Sequence, residues 1–333
     1  MGPAEGLVIG KFMPPHLGHA YLVRRAQAQV EHLTVVIFTK LAEPIPGALR
    51  VDWLKEMCPE VTLRHVTAEH VVDLQSEAAW ETWLHEIRAA VPHGVDLVFS
   101  SEAYGDELAR RLGARHVLVD PARRNVPVSG AQIRNNPLAY WEYLPPGARA
   151  YYACRVAILG AESTGKTTLA QNLAQHFNTV WVPEFARAHL EARGGICTPQ
   201  DMPVIARGQA AAEDRAARDA NRVLICDTEL MTTALWHERY WGECPDEIAQ
   251  MAQERAAHYR LFLLCDSATP WIGDGLRDSP GQREWFQERF LRELRQRRLP
   301  FVVLKGTYAQ RTAAAIGAVE AACALALGPS LAA

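Results

Sequence analysis

The sequence predicts an α/β protein built from two parallel-sheet domains, and three observations carry that prediction. Short apolar strands alternate with helical segments through both halves of the 333-residue chain. Two loops of the kind that handle phosphates, Gly10–His19 (GKFMPPHLGH) and Gly160–Thr167 (GAESTGKT), each follow such a strand. Between the halves, LPPGARAY at 144–151 concentrates proline and glycine just before a new strand, which sets domains at 1–148 and 149–333.

In the first half LVIGKF reads as a strand running into the first loop, and AYLVRRAQAQ has helical periodicity. LTVVIFT, VDLVFSS and ARHVLVD are further apolar runs separated by helical segments. The second half repeats the alternation: RVAILG, a helix opened by the glycine-rich loop, TVWV, an Ala/Arg-rich helix from about Met202 to Asp219 and VLICD. Further helices, YRLFLLC, FVVL and a terminal helix complete it, and GPSLAA at 328–333 reads as a frayed tail. Few residues precede the first strand, so no N-terminal DNA-binding module is expected.

Composition narrows the class of partner. With 49% apolar residues the chain can bury two cores, and a formal charge of −3 supplies no broad basic surface for nucleic acid. Seven cysteines stand singly, without CxxC pairs or histidines at zinc spacing, which points to a reducing compartment. The start carries no signal-peptide pattern, and the late apolar stretch AAAIGAVEAACALALG is interrupted by Glu320 and short for a membrane span. These features predict a soluble cytoplasmic protein with small-molecule partners, and they leave self-association into a homo-oligomer open.

The second loop fits GxxxxGK[ST] between a strand and a helix start, the context a Walker A loop requires. Gly160, Glu162, Ser163, Thr164, Gly165 and Thr168 are expected to wrap ATP phosphates with backbone N–H groups. Lys166 is expected to meet the outer phosphates and Thr167 to ligate Mg²⁺. Asp227, at the end of VLICD, is the first candidate for the metal carboxylate or the base. Glu184 in VPEFAR is either an acceptor-orienting carboxylate or the ion-pair partner of Arg187, three residues on. WIGDGLRDSPGQRE has the composition of a closing lid, with Arg277 the better catalytic arginine and Arg283 the weaker. Trp236, Tyr240, Trp241 and Tyr259 are candidates to stack on a heteroaromatic ring, with core packing as the competing reading.

In the first loop the prolines stiffen the chain, Gly10 allows close backbone approach, and His16 and His19 can face one phosphate group. Two imidazoles there can stabilise charge developing on an α-phosphate; a metal pair is the competing reading, but no third ligand stands nearby. PVSGAQIRNNP adds Ser129 as a cap or phosphate ligand and Arg134 as a fork for leaving pyrophosphate.

HxGH paired with a later S-x-x-x-I-R segment resembles the nucleotidyltransferase superfamily of nicotinamide mononucleotide (NMN) and pantetheine-phosphate adenylyltransferases. GKFMPPHLGH, VFSSEAYG, VDPARRNVPVSGAQIRNNPLAYWEYLP and VAILGAESTGKTTLA together resemble the NadR-type bifunctional proteins over nearly the whole chain. The resemblance implies a Rossmann-like NMN adenylyltransferase domain followed by a P-loop ribosylnicotinamide kinase domain. It also implies ATP, nicotinamide riboside, NMN and NAD as ligands, with Mg²⁺ as cofactor. It implies that Gly10, Lys11, Phe12, His16, His19, Ser129 and Arg134 hold ATP in the first domain, with Ser100, Ser101 and Tyr104 near the nucleotide. Trp83 resembles the aromatic that stacks on nicotinamide, a core tryptophan being the alternative, and Glu184, Asp227, Trp236, Tyr240 and Tyr259 are the riboside candidates. Ala131 stands where the family commonly has threonine, which removes a hydroxyl that could touch phosphate. Two other readings share these motifs: a nucleotide sensor that binds without turnover, and a fusion of a different adenylyltransferase and kinase.

Overall fold

A computed structural model describes residues 4–69, 75–267 and 282–325. The chain divides into two compact units at Ala148/Arg149. The first runs β1 (Glu5–Gly10), α1 (Leu17–Gln27), β2 (His32–Thr39), α2 (Gly47–Met57), β3 (Thr62–Thr67), α3 (Glu77–Ala90), β4 (Leu97–Ser100), α4 (Tyr104–Leu112), β5 (Arg115–Leu118) and α5 (Gly130–Asn135). Its five strands are all parallel in the order β3-β2-β1-β4-β5.

Alternation along β1 explains the layering. Val8 points to the face covered by Val23 and Ala26 of α1 and Leu54 of α2. Its neighbours Leu7 and Ile9 point to the opposite face, beneath Trp80, Trp83, Leu84 and Ile87 of α3 and Leu108 of α4. Because the strand order reverses between β1 and β4, a crevice opens beyond their C-terminal ends, the ligand position of open parallel sheets. The strand β3 was not marked by any apolar run. It is an edge strand of sequence TLRHVT with no fully buried residue, so burial left little hydrophobic signature.

Pro146–Tyr152 forms a helix, α6, with Pro146 at its first position, where a missing N–H costs nothing.

The second unit continues with β6 (Cys154–Leu159), α7 (Lys166–His176), β7 (Trp181–Val182), α8 (Phe185–Glu191), α9 (Asp201–Asp219), β8 (Val223–Asp227), α10 (Leu230–Trp241), α11 (Asp246–Ala256), β9 (Tyr259–Cys265), α12 (Arg283–Gln296), β10 (Phe301–Leu304) and α13 (Tyr308–Leu325). The sheet is parallel, in the order β10-β9-β6-β8-β7. Central β6 is buried at every residue, as expected of a parallel strand covered on both faces. Val156 and Ile158 face α7 and α13 on one side, while α9, α10 and α11 build a second apolar cluster of their own. Since Ile158 is paired with Asp227, the loop after β6 and the end of β8 open at the same edge. Among the described residues no helix is long and apolar enough to cross a membrane. The lid arginine candidate Arg277 and the tail at 328–333 lie outside the described residues.

Candidate functional sites

In the first unit a cavity of about 610 Å³ opens at the C-terminal ends of β1 and β4, within the usual range for a small-molecule site. The structure brings Gly10, Lys11, Phe12, His16, His19, Ser129, Ala131 and Arg134 to its wall, together with Trp83, Ser100, Ser101 and Tyr104. These residues come from segments more than a hundred positions apart in sequence, gathered by the reversal of strand order.

The two histidines are held tightly. His16 is the N-cap of α1, its Nδ1 accepting the Gly18 N–H at 3.1 Å, and its ring lies 3.8 Å from that of His19. A Cβ on Gly18 would stand 2.9 Å from the His16 ring, so only glycine lets the ring fold over the helix start. With Nδ1 accepting, a neutral His16 carries its proton on Nε2, leaving that N–H to donate elsewhere. Burial, then the nearby Arg123 guanidinium, lowers the His16 pKa to about 4. Burial, His16 and Arg123 together hold that of His19 well below the ordinary histidine value. His19 Nδ1 is buried without a hydrogen-bond partner.

Arg134 reaches back across the loop to donate to the Met13 carbonyl, while Ser129 caps α5 through the Gln132 N–H at 3.2 Å. Lys11 lies 3.4 Å from Glu43, which also pairs with the fully buried Arg50 at 2.6 Å. Trp83 is buried against Trp80, Phe38 and Tyr104, with its indole Nε1 lacking a partner, so it both packs the core and lines the cavity. Ser100 is held by His116, 2.9 Å from its Oγ. The wall residues missed by sequence reasoning include Asp120 and Arg123, whose charge reaches both histidines. Their DPARRN segment adjoins the Ser129 motif, which was the available signal.

In the second unit the loop after β6 forms a cleft of about 110 Å³, lined by Gly160 through Thr168 with Glu184, Arg187 and Trp236. The loop closes on itself: Thr164 Oγ1 donates to the Ala161 carbonyl at 2.8 Å and Lys166 Nζ to the same carbonyl at 3.0 Å. Thr167 Oγ1 donates to Asp227 Oδ2 at 2.5 Å. Burial pushes the Asp227 carboxyl up, against the opposing pull of Lys166, and its Oδ1 is buried with no hydrogen-bond partner. A hydroxyl and a carboxylate with one uncommitted oxygen form an all-oxygen donor set suited to Mg²⁺.

A second cleft of about 100 Å³ adjoins the first, and Glu162, Glu184, Arg187, Thr232 and Trp236 line both. Tyr240 lies on its wall, its ring stacked on Trp236 at 5.2 Å. Arg187, although exposed, therefore borders both clefts.

Two aromatic candidates fall elsewhere. Tyr259 is the first residue of β9, at the sheet end remote from the loops, and packs beside Glu213 and Cys226 in the core. In a parallel sheet the start of a strand cannot reach a site built on strand ends. Trp241 packs on His237 and joins the cluster of α9 and α10. Arg283 opens α12 and is not a cleft residue, although Phe286 of the same helix is. Sequence reasoning also missed Gln209 and Arg311. Gln209 lines the second cleft, and buried Arg311 of α13 donates to the Thr164 carbonyl at 2.7 Å.

Comparison with known proteins accords with this architecture. Residues 155–311 match the AAA domain family AAA_28. The chain is 34% identical over 323 residues to the trifunctional NAD biosynthesis/regulator protein NadR of Escherichia coli (strain K12), spanning 89% of this chain and 78% of that protein. It is 32% identical over 324 residues to the corresponding protein of Salmonella typhimurium, spanning 90% and 78%. A nicotinamide-nucleotide adenylyltransferase of Methanosarcina barkeri is 26% identical over 145 residues, 41% of this chain and 80% of that one. In overall fold the chain is similar to a NadR protein crystallised with NR, at a TM-score of 0.83 and 22% identity across 97% of both chains. A NadR crystal structure with NAD and AMP-PNP gives 0.80 and 21% across 97% of both. With a third of its residues shared over nine tenths of its length, and with the loops, sheets and clefts that the sequence motifs imply, the chain belongs to the NadR family of NAD biosynthesis proteins.

Proposed function

We infer that this protein is a bifunctional NAD-biosynthesis enzyme: the second unit phosphorylates nicotinamide riboside to NMN, and the first transfers an adenylyl group from ATP to NMN, giving NAD and pyrophosphate. The observation that carries this reading is the His16/His19 cavity in one unit and the Lys166 loop with a carboxylate-lined second cleft in the other.

In the first unit the NMN phosphate oxygen attacks the α-phosphorus of ATP and the bond to the bridging oxygen of pyrophosphate breaks. The residues act by positioning and by charge stabilisation. Neutral His16 presents Nε2–H to the phosphates while Lys11 and Arg134 supply fixed positive charge. Trp83, between Phe38 and Tyr104, offers the wall for the nicotinamide ring, with Ser100 and Ser101 beside it.

In the second unit the riboside 5′-hydroxyl attacks the γ-phosphorus of ATP. Glu184 lines both the phosphate cleft and the adjoining cleft, so we assign it to orient and deprotonate the hydroxyl, with Trp236 and Tyr240 against the nicotinamide. Thr167 and Asp227 would hold Mg²⁺, which supplies charge neutralisation on the transferred phosphoryl group. Lys166 leaves its contact with Ala161 to meet that group. We place the protein in the cytoplasm, a reading supported by its seven free thiols.

The test is incubation of the whole chain with ATP, Mg²⁺ and nicotinamide riboside, followed by mass spectrometry. NMN is expected first and NAD second. Binding without either product would overturn the enzyme reading.

A further inference from the structure

The carboxylate of Glu184 does not cap its own helix. Glu184 occupies the N-cap position of α8 but makes no side-chain cap bond, so the N–H groups of the first turn need another acceptor. That acceptor comes from α9: Gln209 Oε1 accepts the Phe185 N–H at 3.0 Å, and Gln209 Nε2 donates to Glu213 Oε1 at 3.2 Å. Glu213 is itself fully buried and paired with Arg255 at 2.9 Å. The amide is thus fixed in one orientation by a donor on one side and a buried carboxylate on the other. Only glutamine, with an acceptor and a donor on one planar group at this reach, serves both.

The neighbouring residue adds a steric constraint from the same helix. A Cβ on Gly208 would lie 2.3 Å from the Phe185 ring, so the ring packs directly on the α9 backbone. Backbone and ring of Phe185 are therefore both set by α9, and Phe185 is bonded to Glu184. Gln209 also lines the second cleft.

We propose that Gln209, with Gly208, is a positioning residue for acceptor binding: by capping α8 in place of Glu184, it fixes the Glu184 carboxylate at the junction of the phosphate and acceptor clefts. This deepens the kinase assignment and rests on the reading that Glu184 meets the riboside hydroxyl. A glutamate at 209 keeps the shape but loses the donor and sets a carboxylate against Glu213; an alanine at 208 displaces the Phe185 ring without touching that polar chain.

Gln209→Glu and Gly208→Ala are each assayed in the full chain for the kinase half-reaction, varying riboside and ATP separately, beside Glu184→Gln. The expected result is a riboside KM raised about ten-fold in both α9 variants, with the ATP KM and adenylyl transfer from supplied NMN within two-fold of the parent. An unchanged riboside KM, or an ATP KM that rises equally, overturns the proposal. Should Gln209→Glu lose a folded kinase half by thermal melting, Gly208→Ala decides by the same criterion. If Glu184→Gln leaves riboside kinetics unchanged, the assignment of Glu184 fails and the proposal with it. If Glu184→Gln is impaired while the α9 variants are not, the proposal alone fails.

Discussion

Thr167 Oγ1 donates to Asp227 Oδ2 at 2.5 Å, joining the first turn of α7, which lines the phosphate cleft, to the buried last residue of β8. The pair shares its polar capacity unevenly, since the second carboxylate oxygen of Asp227 is buried and accepts nothing. Asp227→Asn keeps the shape and removes the charge. Riboside phosphorylation is expected to fall about 10²-fold or more in kcat, with a weaker apparent Mg²⁺ affinity. Adenylyl transfer from supplied NMN serves as the internal control and is expected to be unchanged. A Mg²⁺ titration of the kinase half-reaction checks both.

The histidine pair makes stability depend on pH in a defined window. The folded-state pKa of His16, about 4, lies below the ordinary value of 6.5, so the unfolded chain binds the extra proton more readily. Stability therefore rises with pH through that window, is fully present above 6.5, and is lost as pH falls from 6.5 toward 4. His19, pushed the same way by burial, adds to the slope. Each histidine contributes at most about 1.4 kcal/mol per pH unit within the window. Urea unfolding of the first unit between pH 7 and 5 is expected to show the loss, and His16→Asn with His19→Asn to flatten it. Adenylyl transfer, which uses the neutral imidazoles in this account, is expected to hold through that window while the protein stays folded and to decline only as pH nears the folded-state value of His16, about 4.

Much of this arrangement was legible in the sequence, and the exceptions share physical causes. Both phosphate loops could be read because their glycines, histidines and lysine must be contiguous to wrap one phosphate group. Nine of the ten strands among the described residues announced themselves as apolar runs, most strongly the central ones, which a parallel sheet buries on both faces. The missing one, β3, is a polar edge. Gln209 and Arg311 were invisible because each acts through a fold contact with no local pattern, Arg311 meeting Thr164 across 147 positions; Arg123 was signalled only by its nearness to the Ser129 motif. Tyr259 failed for the opposite reason: its residue type suits stacking, but the start of β9 faces away from the strand ends.

Trp83 tests the division between packing and binding. Its ring lies 5.3 Å from Trp80, 5.9 Å from Phe38 and 6.0 Å from Tyr104, yet its indole N–H has no partner and the residue borders the cavity. Trp83→Phe is expected to raise the NMN KM about ten-fold, with the ATP KM of the same half-reaction little changed. Trp83→Ala is expected to cost about 3–5 kcal/mol of stability in the first unit as well. Steady-state kinetics and denaturation of both variants separate the two contributions. An NMN KM unmoved in Trp83→Phe would leave the tryptophan a core residue only.

Arg311 is the residue least expected at a nucleotide site. It is buried in the first turns of α13, its guanidinium lies 5.7 Å from the Tyr308 ring, and Nη1 donates to the Thr164 carbonyl inside the phosphate loop. A buried charge-assisted hydrogen bond to a loop carbonyl restrains the backbone whose N–H groups we assign to the phosphates. Removing it leaves that carbonyl unsatisfied, a loss of about 1–3 kcal/mol. Arg311→Met is therefore expected to raise the ATP KM of riboside phosphorylation about ten-fold, while the ATP KM of adenylyl transfer stays at the parent value. Arg311→Lys is expected to recover only part of the loss, because an ammonium lacks the planar fork that reaches the carbonyl from α13. The comparison is made by varying ATP in each half-reaction separately and by the thermal shift produced by a non-hydrolysable ATP analogue. Equal ATP dependence in parent and Arg311→Met would mean that the loop holds its shape without α13.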